Sequence, residues 1–274
     1  MRGSVCMVMS LALVLGACST QRGGGYYEND GPPRRVHVDP SRIADANPVA
    51  EPRSTSGNDP YIVFGKTYLP LQDASGYRER GIASWYGKKF HGKRTSSGEP
   101  YDMYAMTAAH KTLPLPTYVR VTNLRNGRVA VLRVNDRGPF LHNRLIDLSY
   151  AAALKLDIVK NGTAVVEVET LGIASSKASA QDGVEAMPEA PKHLSTDLRL
   201  YLQVGAFANW ENAASLRARL ASADFGAVFI QSELRDDTRF YRVRVGPVGS
   251  VERIDELVQR ANDYGLRDTQ IVVE

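Results

Sequence analysis

Periodic apolar sequence is confined to two stretches of this chain, residues 77–172 and 197–274, with polar text rich in Gly, Pro and Ser before and between them. That layout restricts the chain to two small domains with separate cores rather than one large one. Residues 18–76 are rich in Gly, Pro, Asn, Asp, Ser and Arg. They carry too few apolar positions to offset ordering entropy, which predicts a disordered tether. One exception is Tyr61-Ile62-Val63-Phe64-Gly65-Lys66-Thr67-Tyr68, a strand-like run expected to pack on the domain that follows. Residues 173–196 read as a second linker. Both cysteines, Cys6 and Cys18, lie near the N-terminus, so neither domain has a disulfide and each must be held by packing.

The N-terminus carries Arg2, then an apolar run from Met7 to Gly16 too short to span a bilayer. It stops at Leu15-Gly16-Ala17-Cys18. This is the pattern of a lipoprotein signal: residues 1–17 are removed and the Cys18 thiol is lipidated. Acyl chains bind a membrane at about 0.8 kcal/mol per buried methylene. Ser19, not an aspartate, follows Cys18, and by resemblance to sorted lipoproteins this favours the outer membrane facing the periplasm. A net charge of +4 is mild and suits an anionic partner such as cell wall or lipid headgroups. No cluster of Lys and Arg interleaved with aromatics argues for nucleic acid, and a monomer is expected.

Within residues 77–172, Tyr118-Val119-Arg120-Val121-Thr122 and Arg128-Val129-Ala130-Val131-Leu132-Arg133-Val134 flank Asn126-Gly127, a strong hairpin signal. Ser149 caps a short helix over Tyr150–Lys155, and Ala164–Glu169 form a last strand. Short strands with little helix predict a small barrel. Residues 197–274 read strand, helix, strand, strand, helix, strand, which predicts an antiparallel four-stranded sheet backed by two helices, a ferredoxin-like βαββαβ arrangement. The fold class is mainly β plus α+β.

Four carboxylates of the first domain sit in unusual company: Glu99 and Asp102 in a Gly-containing loop, Asp136 before Arg137-Gly138-Pro139, and Asp147 between Ile146 and Leu148. Each has a plain alternative as a solvated turn residue, a partner of the adjacent arginine, or a helix-capping group. Glycosidic cleavage needs a carboxylic acid to protonate the leaving oxygen and negative charge to stabilise an oxocarbenium-like transition state. An apolar setting such as that of Asp147 raises a carboxyl pKa toward that role. Trp85, Tyr86, Phe90 and Tyr101 are available to stack on sugars, although about half should be core. His110 is either a group that orients a carboxylate or contacts sugar, or a structural residue. His91, His110 and His142 lack metal-ligand spacing and no thiol accompanies them, so no metal site and no cofactor is expected.

Gly81-Ile82-Ala83-Ser84-Trp85-Tyr86-Gly87, Phe90-His91-Gly92, Thr95-Ser96-Ser97-Gly98-Glu99, Met106-Thr107-Ala108-Ala109-His110-Lys111-Thr112-Leu113-Pro114 and Val134-Asn135-Asp136-Arg137-Gly138-Pro139 closely resemble the rare lipoprotein A family of endolytic peptidoglycan transglycosylases. The resemblance implies a double-psi β-barrel. It also implies cleavage between N-acetylmuramic acid and N-acetylglucosamine, leaving a 1,6-anhydro end. In that chemistry the substrate's C6 hydroxyl closes the ring, so one carboxyl serves first as acid and then as base. Carried over by position, Glu99, Asp102 and His110 match the family's active-site loop, and Asp136 and Asp147 its barrel aspartates. Glu99 and Asp147 both remain candidates for the acid, and loss of either is expected to abolish activity.

In the second domain, Tyr201-Leu202-Gln203-Val204-Gly205-Ala206-Phe207 and Tyr241-Arg242-Val243-Arg244-Val245-Gly246-Pro247 resemble the signatures of the SPOR domain, a cell-wall-binding module. Strand alternation puts Leu202, Val204, Val243 and Val245 against the helices. It leaves Tyr201, Gln203, Phe207, Phe240, Arg242 and Arg244 on the open face, where the resemblance implies binding of denuded glycan at the division septum. Two rivals to the transglycosylase stay open: a non-catalytic expansin-like glycan binder localised by this domain, and a water-using hydrolase with the same carboxylates.

Overall fold

A computed structural model of the chain describes residues 30–33, 39–140, 143–172, 198–235 and 237–274. The expected leader, Cys18, His142 and the whole of the second linker lie outside the described residues. Among the described residues no helix is long and apolar enough to cross a membrane.

Six strands close into a barrel: β3 (Arg78–Trp85), β4 (Thr107–His110), β5 (Thr117–Asn123), β6 (Val129–Asp136), β7 (Ile146–Leu148) and β8 (Ala164–Thr170), after a hairpin of β1 (Tyr61–Val63) and β2 (Lys66–Tyr68). The barrel order is β3-β7-β4-β6-β5-β8. β3 runs parallel to β7 and β4 parallel to β6, while the remaining pairs are antiparallel. β5 and β6 form the hairpin that Asn126-Gly127 signalled, with Gly127 at φ 73°, a value glycine adopts without Cβ strain. The helix α1 (Tyr150–Lys155) starts at Ser149, whose hydroxyl accepts the Ala152 amide at 3.2 Å. Ala83, Trp85, Val119, Val121, Leu132, Val134, Ile146 and Leu148 are all buried in the barrel core.

The segment expected as a disordered tether is, from residue 39 onward, laid on the barrel. Ala46 donates its amide to Val131 O at 3.0 Å, and Asp45 Oδ1 accepts the Val131 amide at 2.8 Å, so the strap pairs with β6 almost as a strand would. Asn58 grips Leu115 from both sides, Oδ1 accepting its amide at 2.8 Å and Nδ2 donating to its carbonyl at 2.9 Å. Composition argued for disorder because polar side chains bury little apolar area. Here those side chains instead satisfy barrel backbone groups. The β1–β2 hairpin packs as expected, with Tyr61 and Tyr68 stacked at 5.2 Å and both edge-on to Phe140.

The second domain contains β9 (Leu200–Phe207), α2 (Trp210–Ser222), β10 (Val228–Arg235), β11 (Thr238–Val248), α3 (Val251–Asp263) and β12 (Gln270–Val273). Its sheet has the order β10-β11-β9-β12 and is antiparallel throughout. Leu216 and Leu220 of α2 and Ile254, Leu257 and Val258 of α3 fill its core against Leu202, Val243 and Val245. Three barrel residues, Ile82, Leu124 and Val165, belong to this same apolar cluster, and β12 lies against β3. The two domains therefore meet through a buried contact.

Candidate active site

Asp136 and Asp147 face one cleft of about 220 Å³, lined also by Tyr86, Phe90, Ala109, Arg137, Gly138, Pro139 and Phe140. Barrel topology explains why they meet. β4 lies between β6 and β7, and Ala109 is the register partner of both Asp136 and Asp147. Cross-strand partners share a face, so both carboxylates project beside the small Ala109 side chain, with two strand spacings, roughly 10 Å of backbone, between them. Gly138, at φ 139°, keeps the floor low: a Cβ there would stand 3.9 Å from Asp147 Oδ2, Ala109 Cβ and Phe140.

Asp147 is buried and accepts a hydrogen bond from Ser84 Oγ, its register partner on β3. Burial pushes its carboxyl up. The Ser84 bond and the charges of Arg144 and Lys111 oppose this, Asp136 reinforces it, and the net direction is upward. Lys111 donates its ammonium to the Arg144 carbonyl, and burial pushes that ammonium down. Asp136 is fixed differently: one oxygen accepts the Ser96 amide at 2.8 Å, the Ser96 hydroxyl at 2.7 Å and the Arg137 amide at 2.8 Å.

Glu99 does not line this cleft. Its Oε2 accepts from Arg133 at 2.8 Å and from Asn135 at 3.0 Å, and the Arg133 bond holds its carboxyl below the usual glutamate range. The same guanidinium is clamped by Glu51 of the strap, at 2.8 and 2.7 Å, and Tyr118 donates to Glu51 at 2.6 Å. Asp102 is exposed and caps its own turn, accepting the Tyr104 amide at 3.0 Å, with His91 Nδ1 at 3.7 Å. His110 follows Ala109 on β4 and so points to the opposite face. Its Nδ1 accepts the Thr112 and Leu113 amides at 3.2 and 3.0 Å, which leaves the proton on Nε2, 3.0 Å from the Tyr77 hydroxyl. Tyr77 in turn donates to Glu79 at 2.7 Å. Burial pushes the His110 imidazole down to about 3, which favours its neutral form, and His110 is not among the residues that line the cleft.

The expected aromatic platforms divide in the same way. Tyr86 and Phe90 line the cleft, whereas Trp85, only 2% exposed, packs in the core near Tyr150. Tyr101 is also buried, stacked on Tyr86 at 4.1 Å and donating to its carbonyl at 2.6 Å. Neither Trp85 nor Tyr101 presents a ring face to a sugar. Sequence reasoning missed Ser84, Lys111, Arg144 and the Glu51–Arg133 clamp. Ser84 and Lys111 had a local signal, each lying within a motif quoted for the family.

Residues 78–168 match the family model described as lytic transglycolase, and residues 199–270 match the SPOR domain. The chain is 42% identical to the endolytic peptidoglycan transglycosylase RlpA of Pseudomonas aeruginosa strain PAO1, over 92% of this chain and 90% of that protein. The RlpA protein of Vibrio cholerae is 38% identical over 95% of this chain and 94% of its own length. The chain belongs to the RlpA family. A further RlpA protein, from Neisseria meningitidis, is 40% identical over 82% of this chain and 89% of that protein.

The SPOR sheet of this RlpA-family chain corrects two expectations about the open face. The β9–β11 register shifts between Val243 and Arg244: Val243 pairs with Gly205 but Arg244 with Gln203, so Val204 is skipped. That β-bulge reverses the alternation beyond it, and Phe207 packs against the helix-side core instead of facing out. Tyr201, Gln203 and Arg244 are on the open side but buried, and Arg244 is paired with Glu274. Arg242 bonds Glu233 at 2.7 Å and reaches Gln203 Oε1 at 3.4 Å, while Phe240 stands half-buried. The face is a paired polar network rather than a row of free donors.

Proposed function

We propose that the barrel is a lytic transglycosylase in which Asp147 is the acid and then the base, with Asp136 as the second carboxylate. Protonated Asp147 gives its proton to the glycosidic oxygen as the C1–O4 bond between N-acetylmuramic acid and N-acetylglucosamine breaks. Charge on Asp136 stabilises the oxocarbenium-like centre. The C6 hydroxyl oxygen then bonds to C1, its proton passes to Asp147, and a 1,6-anhydro end results without an attacking water. The observation that carries this assignment is the pairing of one buried carboxyl, biased toward protonation, with a second carboxylate across Ala109 in one cleft. Glu99, outside this cleft and with its pKa lowered by its Arg133 bond, is less suited to donating a proton.

The proposal extends to location and substrate. Cleavage after Ala17 and lipidation of Cys18 would tether the enzyme to the outer membrane. The SPOR open face, through the part-exposed Phe240 and Arg242, would hold peptide-free septal glycan during daughter-cell separation. The test is mass spectrometry of products from peptide-free glycan strands. Anhydro-terminated fragments that vanish in Asp147→Asn support the reading, reducing-end fragments assign a hydrolase, and binding without cleavage assigns the expansin-like module.

A further inference from the structure

The loop that precedes Asp147 is held by the other domain. Asn143 Nδ2 donates to Thr269 Oγ1 at 2.8 Å, and Arg144 NH2 donates to Asp255 Oδ2 of α3 at 3.1 Å. Directly after them, Leu145 donates its amide to the Ile82 carbonyl at 2.8 Å, tying the loop to β3 beside the buried Ile82, Leu124 and Val165 contact. The Arg144 side chain is 7% exposed, so its guanidinium acts on its neighbours with little screening by water. It pairs directly with Asp255, and its charge also acts on Asp147, three residues further along the same chain segment.

We propose that Asp255 of the SPOR domain is a positioning residue for the catalytic carboxyl Asp147, acting through Arg144. This deepens the reading of Asp147 as the acid and rests on it. The charged and titratable groups that face Asp147 are Lys111 beyond β4, Asp136 at the end of β6, Arg144 ahead of β7, and the Tyr86 and Tyr101 phenols. Ser84 adds a hydrogen bond from β3. Of the two cations, Lys111 is bound to the Arg144 carbonyl, within the barrel. Arg144 alone is shared with the second domain. With Asp255 in place, its negative charge offsets part of the Arg144 field at Asp147. With Asp255 neutralised, that offset is lost and the Arg144 charge favours the ionised form of Asp147. A docked SPOR domain thereby keeps Asp147 able to carry a proton at a pH where a free carboxyl would have lost it.

The experiment is the pH profile of kcat/KM on peptide-free glycan strands for the intact two-domain protein and its Asp255→Asn, Asp255→Glu and Arg144→Gln variants. The wild-type rate falls as pH rises and Asp147 ionises. Asp255→Asn moves that fall to lower pH, with about a three- to ten-fold loss at neutral pH and none on the acidic plateau. Arg144→Gln moves it in the opposite direction, and Asp255→Glu restores the wild-type profile. A merely structural role for Asp255 lowers the rate equally at every pH and overturns the proposal, as does an unmoved profile in both charge variants. An active Asp147→Asn would remove the acid assignment itself. An inactive Asp147→Asn with unmoved Asp255→Asn and Arg144→Gln profiles would remove the coupling alone.

Discussion

Asp147 and Glu99 are carboxylates of one barrel with opposite proton affinities. Asp147 sits on β7, out of water, hydrogen-bonded by Ser84, and burial pushes its carboxyl above the usual aspartate range. Glu99 sits in a half-exposed loop and accepts from a guanidinium and an amide, which favours its charge. The difference teaches that residue type and motif membership do not assign acid and charge carrier. What assigns them is whether the hydrogen-bond donors around the group are charged and whether water reaches it.

Removing the proton carrier is the largest blow to this contrast. Asp147→Asn should cost on the order of 1000-fold in glycan cleavage, read from product formation at a fixed pH. Burial should act on a base in the mirror sense. The folded His110 pKa lies below its unfolded value of 6.5, so the unfolded chain takes up the proton first as pH falls. Stability is therefore lost as pH drops from 6.5 toward 3. Urea unfolding should show about 2–3 kcal/mol less stability at pH 4 than at pH 7 from this group, a loss absent in His110→Asn.

A smaller effect is expected at Glu99. Glu99→Gln keeps the shape but releases Arg133, and should reduce cleavage about 10- to 100-fold, short of the complete loss first expected from the family motif. If Glu99→Gln is as inactive as Asp147→Asn, the contrast between the two carboxylates fails. The smallest change belongs to Asp102, exposed and capping its own turn. Asp102→Asn should leave the rate within about two-fold, since surface substitutions away from such features cost within about 0.5 kcal/mol.

Much of the fold was legible where local chemistry decides it. Asn126-Gly127 marked the β5–β6 hairpin, although the loop runs over residues 124–128 rather than the two that signal suggests, and Ser149 marked the start of α1, because a short turn and a helix cap are settled by a few neighbouring residues. The strap was not legible. Asp45, Glu51 and Asn58 are ordered by partners more than 50 residues away, and a polar composition does not announce them. Phe207 was misplaced because strict alternation cannot foresee a bulge at Val204. In the site, the motifs pointed to Asp136 and Asp147 but also to His110, whose position on β4 turns it to the far side of the strand that Ala109 presents to the cleft. The Arg144–Asp255 pair spans 111 residues and two domains, so only the folded chain brings it into view.

The most direct test is a carboxyl-carbon NMR titration that resolves Asp147 and Glu99 in the same protein. The account predicts an Asp147 midpoint above 3.8 and a Glu99 midpoint below 4.5. An Asp147 midpoint at or below 3.8, or the two orders exchanged, would contradict the assignment of Asp147 as the proton carrier.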